Sequence, residues 1–273
     1  MFELPQEFSD AMKDSMQGER VELPFTAPIV WWLNGKAHYK ALGGAAYFGG
    51  WASNVDDLEQ AASEMGVEIP PDFKQVTLSN NEGKEYEAST SRAIAVAVIA
   101  KRQQWVVDDT TGKGRGHTNI LAYMAEKKDN KLIPWGPVVI SGKGLSGRFI
   151  TDALAEWDKA SRAARHQHAN GLPPWFFFVP IGTFGDKPVT RMVGKIQQSP
   201  VTPCALYQPQ GGINEKVLQN WFVGEEIAGV MVDLKQQASE WLAEWNKAGK
   251  AREPAEAGLI NMSAPTPVDD VFF

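Results

Sequence analysis

A single strong helical stripe, set between two groups of short strands, limits what this chain can fold into more than any other feature. Between Ser146 and Arg165, the residues Phe149, Ala153, Trp157, Ala160 and Ala164 fall on one side at helical spacing, with Ile150 and Leu154 beside them. Most of what precedes it reads in steps of two. Arg92 to Val98 alternates alanine with Ile94, Val96 and Val98, the period of a half-buried strand, and the strand should run on through Trp105 to Val107. A loop from Asp108 to Gly116 then turns the chain into His117 to Lys127. Lys131 to Ile140 follows, interrupted by Pro134 and Pro137.

Upstream, a short polar helix is expected over residues 6–17, then strands at Val21 to Phe25 and Pro28 to Leu33. Asn34-Gly35 is a strong hairpin turn signal, because both residues tolerate positive φ, and it should lead into Lys36 to Leu42. Ala45 to Trp51 reads as a further strand. Ser53 or Asn54 should cap a helix from Val55 to Met65 that stops at Gly66. A hairpin pairs Lys74 to Leu78 with Glu85 to Ser89. Downstream of the long helix, Trp175 to Ile181 is an almost unbroken apolar strand, followed by Val189 to Ile196 and Val201 to Tyr207. Helical patterns close the core over Asn214 to Trp221 and Glu225 to Lys247. Its last stripe, Ile227, Val230, Met231, Leu234, Ala238, Trp241 and Trp245, would pack on the core or on a second copy of the chain. No internal repeat is visible.

This order predicts a mainly β protein with added helices (α+β), built as an OB-like barrel or a strongly curved antiparallel sheet. Alternating strand-helix units of the Rossmann or barrel type are absent. Residues 1–248 should form one OB-like core with helical additions. The run from 249 to 273 is rich in Ala, Pro, Gly, Ser and Glu without a hydrophobic period, so it is expected to be a disordered tail.

Enzyme motifs fail on inspection. Gly112-Lys113-Gly114 and Gly142-Lys143-Gly144 lack both the following Ser or Thr and the earlier glycine of a phosphate loop. There is no Gly-x-Ser-x-Gly elbow. His166 and His168 flank one glutamine without evident further ligands, so neither a zinc site nor another cofactor is expected. The pairs Asp56-Asp57 and Asp108-Asp109 are better explained by helix-end and turn chemistry than by a two-metal nuclease. One cysteine, Cys204, excludes an internal disulfide framework. With no apolar leader or membrane-length run, the expectation is a cytoplasmic protein with no membrane partner.

Charge points to a ligand. The net charge of −6 argues against coating nucleic acid by bulk charge, yet Lys101 to His166 holds 12 Lys/Arg against 7 Asp/Glu, which leaves −11 on the rest. Binding a single strand without sequence preference needs cations along the phosphates and aromatics for the bases. The interleaved candidates are Trp32, Lys36, Tyr39, Lys40 and Trp51, then Arg92, Lys101, Arg102, Trp105, Lys113, Arg115, Tyr123, Lys143 and Arg148. Trp31 and Trp32 are neighbours in a strand and face opposite ways, so one is either on a second buried face or open to a ligand. Phe176, Phe177 and Phe178 are assigned to the core.

The chain closes on Val268-Asp269-Asp270-Val271-Phe272-Phe273, two carboxylates ahead of two aromatic rings. This tip resembles that of bacterial and phage single-stranded-DNA-binding proteins, an acidic run closing on a C-terminal Phe. The resemblance covers about the final six residues, and the acidic run is short. It implies a phage- or mobile-element-encoded protein that protects single strands during replication or recombination in a bacterial or phage-infected cell. Asp269, Asp270, Phe272 and Phe273 would then bind a replication or recombination partner. The competing readings are a protein-binding adaptor or recombination accessory factor with little DNA affinity, and a nucleotide-modifying enzyme in an unfamiliar fold.

Overall fold

Three long strands make the middle of the molecule in the computed structural model: β5 (Ala93–Val107), β6 (Gly114–Lys128) and β7 (Lys131–Lys143). The structure describes residues 22–33, 49–79, 85–107, 114–128, 131–184, 191–193 and 199–243, with the backbone alone at 103–107, 114–115, 193 and 199–200. The expected helix over 6–17, the Asn34-Gly35 turn, the strand Lys36 to Leu42 and the tail from 249 lie outside these residues. The period-two pattern does what it predicts. Ile94, Val96, Ile120, Ala122, Met124, Val138 and Ile140 turn to one side and are buried together. The strand through Pro134 and Pro137 is continuous, because the register shifts where Met124 faces Gly136 and Ala125 faces Pro134. Trp135 is the extra residue of this bulge, and β1 pairs with β7 only from Val139 onward, so Pro134 and Pro137 interrupt no ladder with β1.

Around this meander lie β1 (Ile29–Leu33), β2 (Gly50–Ser53), β3 (Lys74–Ser79), β4 (Glu85–Ser91), β8 (Val179–Gly182) and β11 (Ala205–Leu206), in the order β11-β8-β5-β6-β7-β1-β2-β4-β3. Strands β9 (Arg191–Val193) and β10 (Ser199–Val201) pair separately. The result is an α+β fold. It departs from the expected antiparallel sheet at one place, where β1 runs parallel to β7 with Val30 opposite Ile140. It also departs from a closed barrel, because β3 and β11 are the two edges of the pairing order.

The sheet nevertheless bends sharply. Only Arg92 separates β4 from β5, so one continuous stretch pairs with β2 through Ser91 and with β8 through Ala93. Backbones crowd at this corner. A Cβ on Gly50 would lie 2.4 Å from the Ser91 carbonyl oxygen, and one on Gly182 would lie 2.3 Å from that of Arg92. Glycine is the residue that permits such an approach. The Trp51 indole N–H spans the same corner and donates to the Ile181 carbonyl at 2.9 Å.

Helix α1 (Val55–Met65) is capped by Asn54, whose side chain accepts from the Asp56 N–H. Ser53 instead donates to the Ile29 carbonyl. Helix α2 (Gly144–His168) lays Phe149, Ile150, Ala153, Trp157 and Ala164 against the buried side of the sheet, whereas Ala160, counted on the same stripe, is exposed. Trp157 meets Phe177 at 5.9 Å and Trp221, at the end of α3 (Glu215–Trp221), at 5.3 Å. The expected strand from Trp175 is shorter than its composition predicts. Pro173-Pro174 starts a 3-10 turn over Pro174–Phe176, which leaves Trp175 exposed and delays the strand to Val179. Helix α4 (Glu225–Gln237) is broken by a turn at Ala238, the chain is helical again over 239–243, and 244–247 lie outside the described residues; Val230 is exposed although it belongs to the predicted stripe. Ala238 and Trp241 follow it onto Leu121 and Val139 on the other side of the sheet. Among the described residues no helix is long and apolar enough to cross a membrane.

Candidate nucleic-acid interface

The topology brings several of the basic segments to one end of the sheet. Parallel strands β1 and β7 finish together, at Leu33 and Lys143, and Lys143 faces His117 near the start of β6. Leu33 pairs with Gly50, so the segment bearing Lys36, Tyr39 and Lys40 leaves and rejoins the sheet at this end. Val107 pairs with Gly114, which places the departure of the segment bearing Lys113 beyond the end of β7. Trp105 and Arg115 belong to this two-stranded extension, facing Gly116 and Val106. Lys36, Tyr39, Lys40, Lys113 and the tip residues Asp269, Asp270, Phe272 and Phe273 lie outside the described residues.

Three cations are presented around the first turns of α2. Lys143 immediately precedes the helix and is exposed. Arg148 is exposed and sits 3.8 Å from the Asp152 carboxylate, a solvated i,i+4 pair of small energetic weight. Lys101 donates to the Thr151 hydroxyl at 3.3 Å. Partial burial lowers the pKa of its ammonium, and Asp152 opposes that shift. Arg92 is exposed at the β4–β5 corner.

Four expected ligand residues are placed differently. Trp32 and Trp51 are core residues, with rings 5.1 Å apart and nearly perpendicular; Trp51 is 0% exposed. The Trp32 N–H donates to the Thr202 carbonyl at 2.9 Å, so both indoles have their polar atom satisfied inside the protein. Neither has a face open to a base. Trp31, on the other side of β1, is half-buried against Leu33, Ala52, Val76, Leu78 and Ala88, the second buried face. Arg102 is also buried. Its guanidinium lies 3.0 Å from the centre of the Trp241 ring and donates to the Trp241 carbonyl at 2.8 Å, which makes it a clamp for the C-terminal helical segment. Tyr123 is half-buried against the cluster of Phe178, Val223 and Met231, and burial, with help from Glu226, raises its phenol pKa.

Among the described residues no three His, Cys, Asp or Glu side chains converge to hold a metal ion. The pair Phe184 and Tyr207, at the β11 edge, was not singled out in the sequence. They lie 23 positions apart, and only the pairing of β8 with β11 brings their rings to 5.2 Å. No family model, curated protein or solved structure matches the chain.

Proposed function

We propose that the protein binds single-stranded DNA with little sequence preference, protects it during replication or recombination, and recruits partner proteins through its C-terminal tip. The observation that carries this reading is the convergence of Lys143, Arg148 and the departure points of the segments bearing Lys36, Lys40 and Lys113 at one end of a bent sheet. A cationic surface at strand ends can follow a phosphate backbone while adjacent aromatics take the bases. The OB-like shape belongs to the same proposal. What supports it is the bent β4–β5 stretch, whose first part pairs with β2 and whose second part pairs with β6, and the position of α2 after the third strand of the meander.

The test is a titration of an unstructured oligonucleotide at low and moderate salt, with a duplex of the same length beside it. Single strands should bind more tightly, and affinity should fall steeply with salt as counterions are released. Replacing Lys143 and Arg148 by Ala should weaken binding to all sequences alike. It should also reduce the salt slope by roughly 0.7 for each lost phosphate contact. Folding should be almost unaffected, since exposed charges contribute little stability. Duplex affinity equal to or above that for single strands overturns the proposal.

The tip has its own test. Deleting 268–273 should abolish pull-down of a replication or recombination partner while leaving the melting temperature unchanged, and it should slightly tighten single-strand binding by removing a competing anion. Phe273→Ala, which keeps every charge, should reproduce the partner defect alone. A truncation that melts the protein makes the tail structural.

A further inference from the structure

We infer that the cleft bordered by Phe184 and Tyr207 is a stacking subsite for one unpaired nucleobase, held on the Tyr207 ring, an assignment that rests on the single-strand reading above. The two rings pack on each other, with centroids 5.2 Å apart and planes inclined by 57°, so a base has no room between them and would lie on the exposed part of Tyr207 beside that contact. They border a half-open cavity of about 330 Å³, lined also by Gly182, Thr183, Ala205 and Gln208. That size lies at the lower end of the range for small-molecule sites, about 300–1,000 Å³, and suits a single flat ring better than an extended peptide.

Tyr207 is built as a platform. It is 40% exposed, an unusual position for a large ring at the end of an edge strand. Its backbone N–H is fixed to the Pro180 carbonyl at 2.9 Å, and Trp221 backs its ring at 6.5 Å. A partly exposed aromatic held by such contacts gains stacking energy without having to be ordered on binding. The rim supplies polar groups. The Gln208 amide donates to Glu156 at 2.8 Å, which holds it beside the cleft.

The cleft also adjoins the cationic segments. The Thr183 hydroxyl donates to the Gly49 carbonyl at 3.1 Å, where the segment bearing Lys36, Tyr39 and Lys40 rejoins the sheet. The Thr183 N–H donates to the carbonyl of exposed Arg92 at 2.9 Å. A strand with one base in the cleft would therefore carry its phosphates past the β4–β5 corner. The acidic neighbour Glu156 lies on the α2 side of the cleft.

The experiment compares the full chain with Tyr207→Leu and Tyr207→Phe on an oligo-dT strand and on an abasic strand of equal length. Tyr207→Leu should weaken oligo-dT binding roughly 5- to 150-fold, the span of one lost base stack, and leave the abasic strand unchanged. Tyr207→Phe should restore oligo-dT binding. Independently of variant folding, a bromodeoxyuridine-substituted strand should photo-crosslink to Tyr207 or Phe184 in the unaltered protein. Single-strand binding that is indifferent to Tyr207→Leu, with crosslinks elsewhere, overturns the subsite and leaves the broader reading standing. No binding by the unaltered protein overturns both. An effect of Tyr207→Leu that vanishes once 268–273 are deleted assigns the cleft to the chain's own tip and also overturns it.

Discussion

Trp51→Ala should destabilise the protein by about 3–5 kcal/mol, the range for removing a fully buried large aromatic. Three losses coincide at this residue. The indole fills the space between β2 and the bent β4–β5 corner, its ring edge packs on Trp32 at 5.1 Å, and its N–H satisfies the Ile181 carbonyl. Against a typical total of about 5–15 kcal/mol this is a large share, and the melting temperature should drop by roughly 10 °C. Trp51→Phe should recover most of the packing and leave the Ile181 oxygen short of one donor, at an intermediate cost. Thermal and urea unfolding decide the matter. Unchanged stability together with lost oligonucleotide binding would return Trp51 to the list of stacking residues.

Arg165→Ala should cost roughly 2–4 kcal/mol, less than a fully buried ion pair because Asp158 is partly solvated. The side chain ties the last turns of α2 to the turn that follows. Its Nε donates to the Ser161 hydroxyl at 2.9 Å, one Nη to the Leu172 carbonyl at 2.7 Å, and the other to the Asp158 carboxylate at 2.6 Å. Removing it leaves those acceptors in a site where solvent reaches poorly. Arg165→Lys should not rescue, since an ammonium cannot reproduce three divergent, planar donors. Asp158→Asn should cost much less, because the two backbone carbonyls and the Ser161 hydroxyl still hold the guanidinium. Urea midpoints for the three variants give the order; equal losses for all three would mean that the carboxylate alone secures the turn.

The regular elements were legible because their periods are local. The α2 stripe, the β5–β6–β7 alternation, the β3–β4 hairpin and the Asn54 cap follow from residues close in sequence. What was not legible depends on distant partners. Nothing in Val30 or Ile140 states that their strands run parallel, and a guanidinium reads the same whether it faces phosphate or, like Arg102, an indole. The same ambiguity affected the candidate site. Trp32 and Trp51 looked available as stacking rings until their strands were paired, while Phe184 and Tyr207 became neighbours only through the β8–β11 edge. Lys143 and Arg148 were legible as exposed cations, since they flank the first turn of a helix whose stripe was already assigned.

The parallel pairing of β1 with β7 also sets a clock during synthesis. Val30 leaves the ribosome about 110 residues before Ile140, and at roughly 5–20 residues per second β1 waits roughly 5–20 s for its partner. The meander β5–β6–β7 closes through short connections and can assemble as soon as it emerges, whereas β1 must close a long loop to join it. Through that interval β1 can pair with β2, and through it with β4 and β3, but its other edge stays open. An open strand edge is a template for wrong pairing, so the nascent chain carries an unpaired β1 edge that a chaperone can cover until β7 arrives.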